Sequence, residues 1–325
     1  MDPIWRSTLV EAGCTIVEVP PYADVATICA ASGPHIDGMI CRMPGPEGIT
    51  AAVMDASPNL RVIARHGTGV DSVDLVAARE RGVIVTHTGA ANANAVSEFT
   101  FAAILSLTRQ LGEKEQQLRE NGWGQRAAAL PRELADLTLG VVGMGAVGKR
   151  VVHAATLGFG MRVLVFSPSV GAARITESGA TPVDSLYALL EEADIVSLHG
   201  RLSDKTRHMI DAAALARMKA GSVLINTARG ALIDEVALAV ALTAAAERAD
   251  ADEPSGIAGA ALDTFATEPL PADSPLRSVP AARLLLTPHH ATQTRGAFRN
   301  MAQAAAASIV DILNGVPVDP RRIAT

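Results

Sequence analysis

The chain has 325 residues, of which 49% are hydrophobic, 19% charged and 3% aromatic, and its formal net charge is −6. The negative charge and the scarcity of aromatic rings exclude the usual nucleic-acid surfaces, which need positive charge and stacking platforms. The sequence has no apolar run of about 18 residues that would span a membrane, and its first residues do not resemble a signal peptide. Three cysteines without metal-ligand spacing indicate free thiols, so we expect a cytoplasmic protein.

Short apolar runs rich in β-branched residues alternate with alanine-rich helical stretches along the chain. Strands that are apolar on both faces and separated by helices predict parallel sheets that are covered on both sides. The predicted strands are too many for one ordinary sheet, so we expect an α/β chain with two Rossmann-like domains. In chain order the strands are 15–19, 38–41, 61–65, 83–87, 139–143, 162–167, 194–199, 222–228, 259–263 and 284–288.

Two long helical stretches, 93–111 and 294–313, lie where the strand pattern of one half gives way to that of the other. They predict a discontinuous domain, 1–100 plus 296–325, and an inserted domain, 101–295. The first domain is expected to lack an opening strand, because the chain starts almost directly on a helix. The polar segment 246–256 is predicted to be a surface loop.

The segment LGVVGMGAVGKR, residues 139–150, places glycines 143, 145 and 148 between a predicted strand and a predicted helix. In a dinucleotide-binding loop the first glycine makes the turn, the second admits the pyrophosphate and the third allows close packing of helix on strand. A glycine turn without a ligand would share the pattern, but the strand, loop and helix in this order favour cofactor binding. The next predicted strand ends in Ser167 where an acid that accepts from the ribose of NAD is usual, so NADP becomes possible beside NAD.

Polar side chains also follow three later predicted strands. They lie in INTARGALIDE (225–235), ALDTFATEPLP (261–271) and TPHHATQT (287–294). Taken singly, Arg229 could be a surface charge, Glu268 a solvated loop acid and His289 a structural residue at a strand end. Together they suit the reduction of a 2-oxo acid, because arginine binds a carboxylate and polarises a carbonyl while histidine donates the proton. A neighbouring carboxylate favours the protonated imidazole.

In their order along the chain, these segments resemble the D-isomer-specific 2-hydroxyacid dehydrogenase family, the group that contains D-3-phosphoglycerate dehydrogenases and glyoxylate/hydroxypyruvate reductases. The resemblance covers nearly the whole chain and includes ARHGTGVDSVD (64–74), NANAVSE (92–98), GVVGMGAVGKR (140–150), SLHGRLSDKTRHMI (197–210), NTARGALID (226–234), GAALDTFATEPLP (259–271) and TPHHATQT (287–294). It implies hydride transfer between NAD or NADP and a small D-2-hydroxy acid or 2-oxo acid.

The resemblance also implies roles for single residues. Arg229 matches the arginine that binds the substrate and polarises its carbonyl, and Glu268 matches the partner of the catalytic histidine. His289 directly follows Thr-Pro as that histidine does, so it is the expected acid and base, while His290 has no expected role. The expected cofactor contacts are Gly143, Gly145, Ala146, Val147, Gly148, Ser167, Gly200, Thr227, Asp263 and Thr88. The expected substrate contacts in the first domain are Arg65, Gly67, Thr68 and Gly69. No metal ligand is predicted, and a homodimer formed through the inserted domain is expected.

The sequence departs from the family pattern in three places. Ser167 replaces the usual aspartate, the pair Gly200-Arg201 replaces an apolar residue and a proline, and HTGAAN (87–92) lacks a frequent proline. Arg65 and Arg201 suggest an additional anionic group on the substrate, such as a phosphate, a sulfonate or a second carboxylate, although either arginine could instead be a surface charge. No regulatory extension is expected after the closing helix, which argues against the serine-feedback form of the phosphoglycerate enzyme.

Three other functions compete with this interpretation. A formate dehydrogenase-like enzyme is disfavoured, because that branch carries glutamine where this chain has Glu268. A nicotinamide-sensing binding protein similar to corepressors of the same fold could keep all three polar residues, so it stays the main alternative. An L-lactate-type enzyme is disfavoured because the glycine motif lies in mid-chain.

Overall fold

The computed structural model of the chain describes residues 4–42, 47–121, 123, 130–247 and 256–325. Within these ranges helices and strands alternate, and all the paired strands are parallel. The strands are β1 (Gly38–Cys41), β2 (Val62–Arg65), β3 (Ile84–His87), β4 (Thr138–Val142), β5 (Arg162–Phe166), β6 (Thr181–Pro182), β7 (Ile195–Leu198), β8 (Val223–Asn226), β9 (Gly259–Leu262) and β10 (Leu284–Leu286). The α-helices are α1 (Ile4–Glu11), α2 (Val25–Ala31), α3 (Ala51–Asp55), α4 (Leu75–Glu80), α5 (Ala93–Thr108), α6 (Leu111–Asn121), α7 (Ala146–His153), α8 (Ala172–Glu177), α9 (Leu186–Glu192), α10 (Ala212–Arg217), α11 (Glu235–Glu247) and α12 (Arg295–Leu313).

The chain divides into two compact units. The first unit comprises Met1–Ala95 and Thr292–Thr325, and the second comprises Val96–Ala291. The first contains a three-stranded sheet of order β1-β2-β3, and the second a seven-stranded sheet of order β10-β9-β8-β7-β4-β5-β6. The predicted α/β fold with parallel sheets is therefore confirmed, while the assignment of substrate to one unit and cofactor to the other stays a prediction.

Helices cover both faces of the sheet in the first unit. On one face, here called face A, residues such as Ile63 and Val85 pack with α2, α3 and α4. On the other, face B, Val62 and Ala64 pack with α1 and α12. Since consecutive strand residues point to opposite faces, the near-continuous apolar runs of β2 and β3 supply both cores at once.

The predicted strand over residues 15–19 is wrong. These residues are irregular and pair with no strand among the described residues, although Ile16 joins the face B cluster and Val19 the face A cluster. Residues 15–19 therefore place side chains alternately on the two faces, as a β-strand does, but they have no neighbouring strand to form backbone hydrogen bonds with. The sequence patterns also missed β6, whose two residues are too few to show a period.

The long predicted helices form with small differences at their ends. The stretch predicted as one helix over 93–111 is α5, which ends at Thr108, followed by α6; Gln110 between them has a left-handed φ of 52° that no helix accommodates. The hydroxyl of Thr294 accepts from the amide of Ala297 and starts α12. In the predicted loop 246–256, residues 246–247 end α11 and 248–255 lie outside the described residues.

The sheet of the second unit carries the larger core. Every residue of β7, β8 and β9 is buried, with Leu198 and Leu224 on one face and Ile195 and Ile225 on the other. Each such side chain contributes about 1.5–3 kcal/mol when it leaves water. This burial fixes the carboxyl ends of the strands, and the loops that follow them, on a rigid frame.

The strand order of this sheet reverses at β4. From β4 the chain moves outward through β5 to β6, and then returns to place β7 on the other side of β4. In an open parallel sheet, ligands bind beyond the carboxyl ends of the strands at such a reversal.

Among the helices of the described residues, none has the length and apolarity needed to cross a bilayer.

Candidate active site

Two glycines after β4, one in the loop and one in α7, could not be replaced by another residue without movement. Gly143 has a φ of 92°, and a Cβ there would lie 2.7 Å from the amide nitrogen of Gly200 in the loop after β7. A Cβ on Gly148 would lie 2.1 Å from the carbonyl oxygen of Gly143. These contacts draw the start of α7 against the end of β4, as the glycine spacing predicts.

Gly145 has the opposite environment. No heavy atom lies within 4 Å of the position that its Cβ would take. Gly145 caps α7, so the amides of Ala146 and Val147 form the positive end of that helix, and the first turn contains no acidic residue. Open space beside a helix N-terminus fits the pyrophosphate of a dinucleotide, and Gly145, Ala146 and Val147 are the residues that would hold it.

Ser167, directly after β5, turns its hydroxyl towards the glycine loop. Its Oγ accepts a hydrogen bond from the amide of Met144 at 3.1 Å, and the residue is buried. The position therefore supports the loop and brings no carboxylate to the place where a ribose would be recognised. The nearest basic residue downstream, Arg174, is exposed on α8.

The loop after β7 contains a neutral histidine that the sequence analysis did not select. The amide of His199 donates to the carbonyl of Val142 at 2.8 Å, and its Nε2 lies 2.9 Å from the hydroxyl of Ser197. Burial lowers the pKa of His199 to about 4, so its ring is uncharged at neutral pH. Gly200 follows against Gly143, whereas the Arg201 side chain is exposed.

The turn after β8 is built around Asn226, which the sequence analysis also missed. Asn226 is fully buried; its Nδ2 donates to the carbonyl of Arg229 at 2.9 Å and its Oδ1 accepts from the amide of Ala228 at 3.0 Å. The side chain thus fixes the backbone that presents the half-buried Arg229. The hydroxyl of Thr227 in this turn lies 3.4 Å from that of Thr100. An asparagine three residues before a candidate arginine was the available signal, since asparagine favours such local turns.

This turn is in direct contact with the loop that carries Glu268. A Cβ on Gly230 would lie 1.9 Å from the carbonyl carbon of Phe265 and 2.2 Å from the nitrogen of Ala266. Glycine at 230 therefore lets the two backbones touch. The arginine turn and the glutamate loop are positioned by each other.

Asp263, at the end of β9, organises the histidine loop. Its buried carboxylate accepts from the hydroxyl of Thr287 at 2.7 Å and from the amides of His290 and Ala291 at 2.6 and 2.9 Å. Its carbonyl accepts from the amide of His289 at 2.8 Å. These hydrogen bonds engage the Asp263 carboxylate with the histidine loop, so the expected contact of Asp263 with the cofactor stays a prediction.

The first of the two adjacent histidines pairs with the predicted acid. The Nδ1 atom of His289 lies 2.8 Å from Oε2 of Glu268, and the amide of Phe265 donates to the other carboxylate oxygen at 3.0 Å. Burial alone would raise the pKa of Glu268, but these two hydrogen bonds and the charge of Arg229 lower it below its ordinary value. His289 itself has a left-handed φ of 50°, a conformation uncommon outside glycine.

The expected substrate contacts of the first unit also lie in one pair of loops. The hydroxyl of Thr68 bonds to the carbonyl of Gly89 at 3.0 Å and lies 3.2 Å from Oδ1 of Asn92. Gly67, with a φ of 151°, accepts from the amide of Thr88 at 3.0 Å, and Gly69 continues the turn. Among the described residues, the buried hydroxyl of Thr88 has no hydrogen-bond partner.

Arg65 has a supporting position beside this turn. Its Nη1 donates to the carbonyls of Cys41, Arg42 and His66 at 3.0, 2.6 and 3.1 Å. One guanidinium nitrogen is therefore committed to the backbone of two loops. The expected contact of Arg65 with a substrate anion stays a prediction.

Comparison with known proteins extends what this geometry indicates. Residues 101–291 match the family model of the D-isomer specific 2-hydroxyacid dehydrogenase, NAD binding domain. A D-3-phosphoglycerate dehydrogenase of Synechocystis sp. is 35% identical over 284 residues, which are 87% of this chain and 48% of that protein. The chain thus spans about half the length of that relative. A glyoxylate reductase of Korarchaeum cryptofilum is 34% identical over 282 residues, 86% of this chain and 80% of that protein.

A solved structure shows the same architecture. The D-lactate dehydrogenase of Aquifex aeolicus, crystallised with NAD and lactic acid, is similar with a TM-score of 0.80 and 28% identity. The match covers 97% of this chain and 92% of that one. The glycine loop and the loops of Arg229, Glu268 and His289 agree with these matches. The chain therefore belongs to the D-isomer-specific 2-hydroxyacid dehydrogenase family.

Proposed function

We propose that this protein transfers a hydride reversibly between a nicotinamide cofactor and a small D-2-hydroxy acid or its 2-oxo acid. The observation that carries the proposal is the 2.8 Å contact between His289 and Glu268, in loops that adjoin the arginine turn. The names of the relatives, a glyoxylate reductase and a D-lactate dehydrogenase, support the class of substrate.

The His289–Glu268 pair is proposed to transfer the proton to and from the substrate oxygen. Glu268 stays ionised because its pKa is lowered, and its carboxylate accepts from Nδ1 of His289 and so orients the ring. Since Nδ1 of His289 is engaged by Glu268, the other ring nitrogen is left to face the substrate oxygen. In reduction it donates a proton to the developing alkoxide, and in oxidation it removes that proton.

Arg229 is proposed to supply the positive charge that binds the substrate. Its planar guanidinium suits a carboxylate and the adjacent carbonyl oxygen, where it stabilises the negative charge that develops during reduction. When bound, the nicotinamide supplies or accepts the hydride at C2 of the substrate. The amides of residues 67–69 are proposed to bind the substrate carboxylate.

The cofactor proposed is NAD, with NADP tolerated. Ser167 has no charge that would repel a 2′-phosphate, and no basic residue follows it directly in the sequence. A homodimer formed through the second unit is part of the same proposal.

Initial rates test this function. NADH and NADPH oxidation would be followed with glyoxylate, hydroxypyruvate, phenylpyruvate and 2-oxoglutarate, and 3-phosphoglycerate would be tried with each oxidised cofactor. Turnover of at least one acid that disappears in His289→Ala supports the proposal. Tight dinucleotide binding without turnover of any acid contradicts it and favours a nicotinamide-sensing binding protein.

A further inference from the structure

The loop that carries Glu268, residues 264–271, has no regular secondary structure. Within the described parts of the chain, no main-chain hydrogen bond joins residues 264–270 to another main-chain group. The hydrogen bonds that hold the main chain of this Glu268 loop come from side chains instead. The position of the Glu268 carboxylate therefore depends on the residues that supply those side chains.

Glu235 holds the loop on the N-terminal side of Glu268. Its half-buried carboxylate accepts from the amide of Ala266 at 2.6 Å. The preceding amide, that of Phe265, donates to the carboxylate of Glu268 at 3.0 Å. Two consecutive amides are thus bonded to two different carboxylates. If Ala266 lost its acceptor, the Phe265 amide would be free to move, and it could no longer hold Glu268 in one orientation.

Arg277 holds the loop on the C-terminal side of Glu268. Its Nε donates to the carbonyl of Pro271 at 2.8 Å, and its Nη2 donates to the carbonyl of Leu270 at 2.9 Å. An exposed arginine side chain is usually solvated, but this one binds two successive carbonyls with two donors of its planar guanidinium. The loop is therefore fixed at both ends, with Glu268 in between.

Glu235 and Arg277 are themselves attached to one rigid core. Glu235 is the first residue of α11, and Arg277 lies in the short 3₁₀ helix Pro275–Ser278. The buried side chains of Leu238 in α11 and Leu276 in the 3₁₀ helix belong to the same hydrophobic cluster. Because such a core is close-packed, the two points of attachment cannot move independently.

We propose that Glu235 and Arg277 are positioning residues, which hold the Glu268 loop between them and keep its carboxylate 2.8 Å from Nδ1 of His289. The inference rests on the proposed function, in which this contact orients the His289 ring. Both residues act through Glu268. Their loss should therefore slow the chemical step more than it weakens binding, since a misplacement of about 1 Å can cost about 10²-fold in rate.

The variants are chosen to separate this role from a general effect on stability. Arg277→Ala removes both donors, Glu235→Ala removes the acceptor of the Ala266 amide, and Glu235→Gln keeps an acceptor there. Arg283→Ala is the structural control. The half-buried guanidinium of Arg283 donates to the carbonyls of Ala258 and Ala245 at 3.0 and 3.4 Å, outside the Glu268 loop.

Arg277→Ala and Glu235→Ala should each lower kcat by about tenfold or more, while KM and the Kd for NADH stay within about twofold. Glu235→Gln should recover most of the turnover. Arg283→Ala should lower the unfolding temperature and keep kcat. Unchanged kcat in both alanine variants, or an equal loss in Arg283→Ala, would overturn the proposal.

The same two alanine substitutions would also be made in the Glu268→Ala protein. Residues that act only through Glu268 should cost nothing further there, because the effects of coupled residues are not additive. A role confined to stability would not produce this coupling. An equal fractional loss of kcat with and without Glu268 contradicts the assignment.

Amide hydrogen exchange of Phe265, measured without any substrate, gives a readout that does not require turnover. Exchange should be faster by about tenfold or more in Arg277→Ala and Glu235→Ala, and unchanged in Arg283→Ala. If the wild type reduces no acid, the proposed function fails and this exchange alone decides on the loop. Unchanged exchange in both alanine variants would then overturn the inference.

Discussion

The carboxylate of Glu235 accepts a hydrogen bond from the amide of Ala266 at 2.6 Å. This bond ties the first residue of α11 to the loop that carries Glu268, next to the point where Gly230 touches Phe265. Two acids therefore share one small region, and they have opposite environments. Glu268 is hydrogen-bonded by a histidine, whereas Glu235 is hydrogen-bonded by a main-chain amide and has the like charge of Glu268 and the side chain of His208 nearby.

Glu235→Gln should stabilise the protein at neutral pH. Burial raises the pKa of Glu235 above 4.5, the amide of Ala266 opposes this, and the charge of Glu268 adds to the rise. The folded state therefore binds the proton more tightly than the unfolded state, so this contribution is present below about 4.5 and is lost as the pH rises through the folded value. Glutamine keeps an acceptor for Ala266 without the charge. Urea unfolding from pH 4 to 8 should show an advantage of the variant that shrinks in acid; an advantage independent of pH would contradict the argument.

Glu268→Gln should have the opposite dependence. Although burial opposes it, the bonds from His289 and Phe265 lower the pKa of Glu268 below 4.5, so its contribution to stability is present above that value and is lost as the pH falls through the folded pKa. The variant should be less stable than the wild type at pH 7, and the difference should disappear in acid. Turnover should also fall, because a neutral amide binds Nδ1 of His289 less strongly than a carboxylate does and holds the ring less firmly. Unfolding free energies and kcat measured across the same pH range check both parts, and unchanged kcat would remove Glu268 from the mechanism.

His289→Ala should abolish most of the activity and spare cofactor binding. General acid and base catalysis contributes about 10²–10⁴-fold, so kcat should fall by that order while the Kd for NADH changes little. His290→Ala is the matched control. The side chain of His290 is exposed, and the hydrogen bond from its main-chain amide to Asp263 does not depend on the ring. Stopped-flow fluorescence for binding and initial rates for turnover separate the two effects. Equal loss in both variants would mean that the loop, and not the His289 ring, matters.

Gly145→Ala and Gly148→Ala should separate cofactor binding from stability. A methyl group at 145 meets no atom within 4 Å, so stability should change by less than about 0.5 kcal/mol while dinucleotide affinity falls, because the methyl enters the space left for the pyrophosphate. A methyl group at 148 meets the carbonyl oxygen of Gly143 at 2.1 Å, and overpacking of this kind costs about 1–3 kcal/mol. Thermal unfolding and fluorescence titration with NADH distinguish them. If Gly145→Ala binds NADH normally, the cofactor does not approach this glycine.

The sequence predicted the fold wherever a local pattern was strong. Buried parallel strands appear in the sequence as runs of β-branched residues. The predicted ends of β2, β7 and β8 therefore lie within one or two residues of the ends in the structure. Residues 15–19 carry the same pattern but have no partner on their sheet edge, and pairing is a property of two segments that a single run cannot reveal. The break at Gln110 was missed because nothing in a leucine- and glutamate-rich stretch marks a left-handed residue.

The candidate site was predictable in its reactive side chains but not in their supports. Arginine, glutamate and histidine after strand ends have a chemistry that can be argued from residue type. Asn226 and Asp263 act through backbone amides and carbonyls that lie up to 28 residues away, and such contacts depend on the folded loops. His199 was passed over because its neutrality arises from burial, which no local pattern reports.

Ser167→Asp should shift the cofactor preference towards NADH. The hydroxyl of Ser167 accepts from the amide of Met144 at 3.1 Å, and an aspartate can keep that acceptor while it adds a charge that repels a 2′-phosphate. The ratio of kcat/KM for NADH to that for NADPH should rise by about tenfold or more, which corresponds to roughly 1.4 kcal/mol. Ser167→Asn is the matched control, since it has a similar size and no charge, and its ratio should stay near that of the wild type. Equal ratios in the aspartate and asparagine variants would show that charge at this position does not reach the ribose, and the determinant of cofactor choice would then have to lie elsewhere in the loop after β5.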